Sequence, residues 1–338
     1  MAGTKYGDIS PRTAAFAAKK LLERGQHIMV FERFGQMDPQ GKNKTKTRTW
    51  RRYESLQRAS APLAEGITPA GQQLTKTDII ATLEQYGDML PLTDVIEDTH
   101  EDPVLNQMMG LVGEQSAETV EEIRINVLKG GTNVFYANGV ASRALVNSPA
   151  VRGDFRLIYR SFKRNKAREI TEIIKASAMI ATESVMPAYW AIGHTDLDAD
   201  LRGLTGFTEV KNYADSSKSL PGEIGSMDQI RIILTGMVDP WLAAGLTGTT
   251  LLSNGAAVSA TAQADVYPIL VTARDAYAIV PLQGSNAITP IVLNPNNPAP
   301  GDPLGQTGSV AWKTYQTAAI LNEAWFARLE VGATANPS

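Results

Sequence analysis

The chain has 338 residues, 32 Lys and Arg against 35 Asp and Glu, a net charge of -3, 43% hydrophobic residues and no cysteine. Such a composition folds, and this length favours more than one hydrophobic lobe. The missing cysteine excludes disulfides, thiolate nucleophiles and cysteine-ligated metals, and the near-neutral charge argues against a dedicated nucleic-acid binder.

Ser10 and Pro11 form a helix start and Gly25 a stop, with Ala14, Ala17, Leu21 and Ala15, Ala18, Leu22 at helical spacing between them. This predicts a short amphipathic helix that packs on its own core or on a neighbour. Lys5, Arg12, Lys19, Lys20, Glu23 and Arg24 interrupt the N-terminal residues, leaving no apolar run of signal-peptide length, and no stretch approaches the roughly 18 residues of a membrane span. Cytoplasmic synthesis and no membrane partner are expected.

Charge then alternates in blocks. Between Lys42 and Arg58 seven basic residues accompany the single acid Glu54, whereas Thr77 to Ile123 holds twelve acids and no Lys or Arg. This polarity suits docking between copies, and equally the solvated faces of one fold. Within the basic block, Thr47 to Leu56 reads as a strand carrying charge on both faces: Arg48, Trp50, Arg52 and Glu54 alternate with Thr49, Arg51, Tyr53 and Ser55. Neither face reads as buried. The turn-rich Ala59 to Gly71 and a second extended run, Gln72 to Glu84, complete a long hairpin with arms of roughly 40 to 50 Å, marginal in water unless it lies on something.

Asp102 and Pro103 start a helix in which Leu105, Met108, Val112, Val120, Ile123 and Val127 recur at three- and four-residue steps until Gly130 and Gly131. At 1.5 Å per residue it is a rod of roughly 40 Å. Asp154 to Lys175 reads as helix plus strand with Arg156, Arg160, Lys163, Arg164, Lys166 and Arg168. It is either a nucleic-acid-facing surface or a solvated face with Phe155, Ile158, Tyr159 and Phe162 turned inward. Asp196 to Leu201 reads as helix, Ile230 to Leu234 as strand, and Trp241 to Ala264 as a loop without periodicity. The end is strand-rich, with Val266 to Thr272, Ala276 to Leu282, Val310 to Leu321 and Trp325 to Val331, making the class α+β.

No phosphate-binding glycine loop, dinucleotide turn, nucleophile elbow or zinc-protease helix occurs. His27, His100 and His194 are far apart, and the string His194, Asp196, Asp198, Asp200 imitates half a calcium loop before Leu201 and Phe207 break the pattern. No catalytic residue, metal or cofactor is expected.

Several strings together resemble the major capsid (coat) proteins of tailed bacteriophages, in particular the coat-protein group of N4-like podoviruses. They are YGDISPR at Tyr6, KKLLERGQHIMVFERFGQ at Lys19, KTRTWRRYESL at Lys46, LTKTDIIATLEQYGDMLPLTDVIEDTHEDPVL at Leu74, GGTNVFYANG at Gly130, PGEIG at Pro221, DVYPILV at Asp265 and DPLGQTGSVAWKTYQTAAILNEAWFARLEV at Asp302. The resemblance implies a Hong Kong 97 phage-type capsid fold. Its parts would be an N-terminal arm at 1–41, an extended hairpin loop at 42–77, and a peripheral domain at 78–150 with a spine helix at 103–129. An axial domain would occupy 151–303, with C-terminal strands at 304–338 completing the peripheral domain.

The function implied is a virion shell built from pentamers and hexamers around double-stranded DNA, assembled in the bacterial host cytoplasm with portal and scaffold or decoration partners. Subunit contacts are expected at Lys46, Arg48, Trp50, Arg51, Arg52 and Tyr53 on the ribbon, Glu65 near its tip, and Glu114, Glu118 and Glu121 on the rod. The alternatives are an encapsulin-like shell, a minor virion or decoration protein, and a soluble hydrolase using scattered His and Asp.

Overall fold

The computed structural model describes residues 29–41, 43–60, 62, 66, 68, 71–99, 104–175, 181–213, 219–247, 250–255, 262–282, 288–295 and 302–336. The expected helix at 11–25, the start signal Asp102 and Pro103, and Glu65 lie outside them.

After a short strand β1 (Gln36–Met37), β2 (Thr47–Tyr53) and β3 (Lys76–Thr82) pair antiparallel as a separate ribbon, Thr47 opposite Thr82 and Tyr53 opposite Lys76. Its ladder is shorter than the expected arms. Beyond Tyr53 the two chains are joined by Glu54 N–H donating to Thr75 O and by the Gln72 amide, which bonds both the N–H and the C=O of Gln57. The second arm runs on past Leu83 into β4 (Glu84–Thr93), which pairs with β14 (Thr307–Ile320). Ribbon and body therefore share one nearly continuous strand, so the ribbon is anchored along its axis.

A short helix α1 (Asp94–Thr99) precedes the rod, α2 (Val104–Lys129). Its buried residues include Met109, Val112, Gly113, Ser116, Ala117, Val120, Glu121, Arg124, Ile125 and Leu128, a single stripe at steps of three and four. Ile123 and Val127, which spacing assigned to that stripe, are half-buried on its flank. The core face was hidden in the sequence because it is made largely of small and charged residues, the small ones letting the helix backbone approach the sheet.

The smaller sheet centres on β14, flanked by β4, β13 (Ile288–Leu293) and β12 (Tyr277–Pro281), with β1 beyond β12. Alternation along β14 turns Val310 and Trp312 onto Met108, Met109 and Val112 of α2, with Leu92 closing the cluster.

The larger sheet has the order β5 (Val134–Tyr136), β15 (Phe326–Val331), β11 (Tyr267–Thr272), β7 (Ala181–Gly193), β10 (Ile230–Leu234), β9 (Glu223–Met227), β8 (Phe207–Glu209), with β6 (Ile170–Lys175) also on β7. β10 and β11 are buried throughout and mostly apolar, and the one charge, Arg231 of β10, is paired with Glu223 at 2.6 Å. Tyr189 and Ala191 point to one face, under Phe155, Ile158 and Phe162 of α3 (Arg152–Arg164) and Leu201 of α4 (Asp198–Arg202). Trp190 and Ile192 point to the other, onto Val30, Phe31, Phe34, the last turns of α2, and Tyr277 and Ile279 of the smaller sheet. That second cluster joins the two sheets.

The strands of the segment 304–338 divide between the two sheets. β14 belongs to the smaller sheet and β15 to the larger, and β12 and β13, expected within the 151–303 unit, also lie in the smaller. A single 3-10 turn at Glu323–Trp325, capped by Asn322 accepting from Ala324 N–H, carries the chain across. β15 is buried throughout, between the two apolar clusters on either face of the larger sheet. Its apparent polar face is also internal: Arg328 and Glu330 are paired at 2.8 Å, and Arg143 bonds Glu330 at 2.7 Å. Arg328 Nη1 also donates to the carbonyls of Lys129 and Gly131, satisfying the end of α2.

Candidate assembly surface

Alternation gives the ribbon two unlike faces. Arg48, Trp50 and Arg52 are half-buried against the protein's own body: Arg48 forks onto Asp38 at 2.6 and 2.9 Å, Trp50 Nε1 donates to the same carboxylate at 2.8 Å, and Arg52 Nη1 donates to Leu321 O at 3.2 Å. Bidentate guanidinium pairing of this kind fixes direction as well as position. The expectation that neither face is covered is thus corrected for this one. Thr47, Thr49, Arg51 and Tyr53 make the uncovered face with Lys76, Asp78, Ile80 and Thr82 opposite them, and Tyr53 and Ile80 are 56% and 65% exposed. The Arg51 fork holds the Asp78 carboxyl below its ordinary range, and the Arg52 hydrogen bond does the same for Glu54.

The expected contact residues divide accordingly. Arg51 and Tyr53 lie free of the body on the outer face; Lys46 is exposed at the root and pairs with Glu84 at 2.9 Å; Arg48, Trp50 and Arg52 are engaged within the chain. Glu118 is exposed on α2 and Glu114 half-exposed, together with Glu122. Glu121 is not a surface contact: it is fully buried, accepting from Val30 N–H at 2.6 Å and Phe31 N–H at 2.7 Å beside Arg124, which also reaches Glu32 at 3.3 Å. Burial pushes its carboxyl upward, opposed by Arg124 and the two amides. Tyr277 OH of β12 donates to Phe31 O, so Val30 and Phe31 are clipped between α2 and the smaller sheet.

One further surface and one anchoring residue escaped the sequence reading. On the side of the smaller sheet away from α2, ladder partners align Met89, Ala311 and Ile291 in one row and Pro91, Ser309 and Leu293 in the next. Met89, Ile291 and Leu293 are exposed. The residues come from three distant segments, so no local period announces the patch. Asp38, which receives both Arg48 and Trp50, sits in a stretch with no regular pattern. The basic residues of α3 point outward, which fits both readings of that face, and Arg152 and Arg156 both bond Asp228, holding its carboxyl low.

Among the described residues, the chemistry-bearing side chains that the sequence offered are not gathered. His194 Nδ1 accepts from Asp196 N–H, Tyr267 OH donates to Asp196, and among the described residues no cluster of three or more His, Asp or Glu could hold a metal ion. No described helix is long and apolar enough to cross a membrane.

A family model described as phage capsid protein matches residues 76–329. The major capsid protein of Pseudomonas phage KPP21 is 25% identical over 272 residues, covering 73% of this chain and 66% of that protein, so the chain spans about two thirds of that relative's length. Among solved structures, the capsid of Ralstonia phage GP4 superposes with a TM-score of 0.67 at 11% identity, covering 92% of this chain and 93% of that one. The holo-SrpI encapsulin complex from Synechococcus elongatus gives 0.51 at 12% identity, covering 99% and 92%. At such identities the structural likeness is one of fold.

Proposed function

The chain belongs to the phage capsid protein family, and from that premise we propose that it is the major capsid protein of a tailed-phage head, of the Hong Kong 97 type. Copies assemble into hexamers and pentamers that close an icosahedral shell around double-stranded DNA. The observation that carries the reading is the ribbon. One of its faces is bonded to its own body, and the other, with Tyr53 and Ile80, is left uncovered. A two-stranded ribbon is marginal in water, and covering that outer face with an adjacent copy stabilises it while joining subunits. Obligate interfaces between copies bury about 2,000 to 5,000 Å², more than the ribbon alone offers. The apolar row of Met89, Ile291 and Leu293 supplies further area.

Portal, scaffold and decoration proteins are the remaining partners of such a shell, and the virion is its place. An encapsulin-like compartment shares the fold and differs in cargo. Native particles purified after nuclease treatment separate the two: protected double-stranded DNA of genome length is expected, and particles holding only protein overturn the phage-head reading.

A further inference from the structure

The outward side of α3 carries charge that the subunit does not use. Arg152 and Arg156 are taken up by Asp228, and Lys163 by Glu169. Arg160 and Arg164 are exposed and make no hydrogen bond or ion pair with the described residues. They stand about 6 Å apart along the helix, on the side opposite the buried Phe155, Ile158 and Phe162, and Leu157 beside them is 41% exposed. The outward side of α2 is its counterpart in charge. Glu118 and Glu122 are exposed at the same spacing, and Leu111 on that side is 54% exposed. Leu157, Arg160 and Arg164 follow one another at the intervals of Leu111, Glu114 and Glu118, so the two rows match in length and oppose in sign. One chain cannot close them on each other. Phe155, Ile158 and Phe162 cover one face of the larger sheet and Ile125 and Leu128 of α2 lie on the other, so the sheet stands between the rows.

We propose that α3 of one copy docks along α2 of the next, Leu157 against Leu111 and Arg160 and Arg164 on the row Glu114, Glu118 and Glu122. The inference rests on the shell reading, for which it names a contact that closes the rings. A ring of five or six copies needs two unlike, complementary surfaces on different sides of the subunit, arranged head to tail, and these rows are placed so. Covering the two leucines removes apolar surface from water, while the opposed charges orient the approach. A nucleic acid laid on α3 would use the same arginines and leave the acids of α2 idle; the matching acidic row favours a second copy.

Three full-length variants test the contact: Arg160→Glu with Arg164→Glu, Glu118→Lys with Glu122→Lys, and all four changes together. Circular dichroism and melting check that each is folded, light scattering follows association, and electron microscopy identifies the products. Each reversed pair is expected to slow association about tenfold or more, and the four changes together to bring it back to within about threefold of the unaltered chain. The absence of cysteine allows a second readout: on oxidation, Leu111→Cys with Leu157→Cys gives a ladder of linked copies, and either cysteine alone gives none. Shells at normal yield from both reversed pairs, failure of the four changes to restore association, or no ladder overturn the contact and leave the shell reading standing. Loss of assembly with the arginine pair only, together with loss of binding to a short DNA duplex, overturns it in favour of nucleic acid on α3. An unaltered chain that never assembles overturns the contact and the shell reading together.

Discussion

Glu121 sits where an error is most costly, fully buried with two backbone amides and a guanidinium turned toward it. Truncating one partner of such a group leaves the others uncompensated, at a cost of about 3–5 kcal/mol. Glu121→Ala is therefore expected to lower unfolding stability by that amount and to remove hydrogen-exchange protection from Val30 and Phe31. Retained protection at those two amides contradicts the clip. A second residue-scale consequence concerns alkaline pH. Burial, with Glu223 nearby, pushes Tyr213 up to about 12 from 10.0. A phenol whose folded value is raised contributes stability that is complete below the unfolded value near 10 and is lost as pH rises toward 12. Burial also raises Tyr189, Tyr267 and Tyr277, so tyrosinate absorbance should show several late-titrating phenols, of which Tyr213→Phe removes one near pH 12; a titration unaltered by the substitution contradicts the assignment.

Among the elements, the ribbon and the rod act differently. Trp312 of β14 anchors the small sheet to α2 by packing and by Nε1 donating to Gln115 Oε1 at 3.2 Å. Trp312→Ala should cost about 3–5 kcal/mol, read from denaturant unfolding. The ribbon's outer face has no such role within the subunit, so Tyr53→Ser with Ile80→Ser should stay within about 0.5 kcal/mol of wild type while lowering the yield of assembled particles. Trp50→Ala, by contrast, removes a contact to Asp38 inside the subunit and tests ribbon anchorage rather than docking between copies. That distinction was not legible in the sequence. Alternation showed charge on both faces of Thr47 to Leu56, but the partners Asp38 and Leu321 O come from a patternless stretch and from a residue far along the chain. Conversely α2, α3 and the strands β10, β11 and β15 were legible, because caps, glycine stops and apolar runs are local. The spacing found Met108, Val112 and Val120 of the α2 stripe but strayed onto its flank at Ile123 and Val127, because glycine, serine, alanine and a buried Glu–Arg pair do not read as core.

At the scale of the whole molecule, the subunit is two sheets joined through one apolar cluster, spanned by a rod and extended by a ribbon continuous with the smaller sheet. Everything the fold buries serves rigidity, and the most prominent uncovered features are an outward ribbon face and an apolar sheet face. Under the proposed reading the function lies in contacts between copies, and the charge blocks at 42–58 and 77–123 would give those contacts direction. Electrostatic steering of this kind weakens as salt screens it, so assembly rate should fall with ionic strength while the melting temperature of the isolated subunit changes little. The most direct measurement is electron microscopy of the purified full-length protein under assembly conditions. Closed shells of uniform diameter, with pentameric and hexameric clusters visible in class averages, are predicted; monomers and small oligomers under every condition would contradict the account.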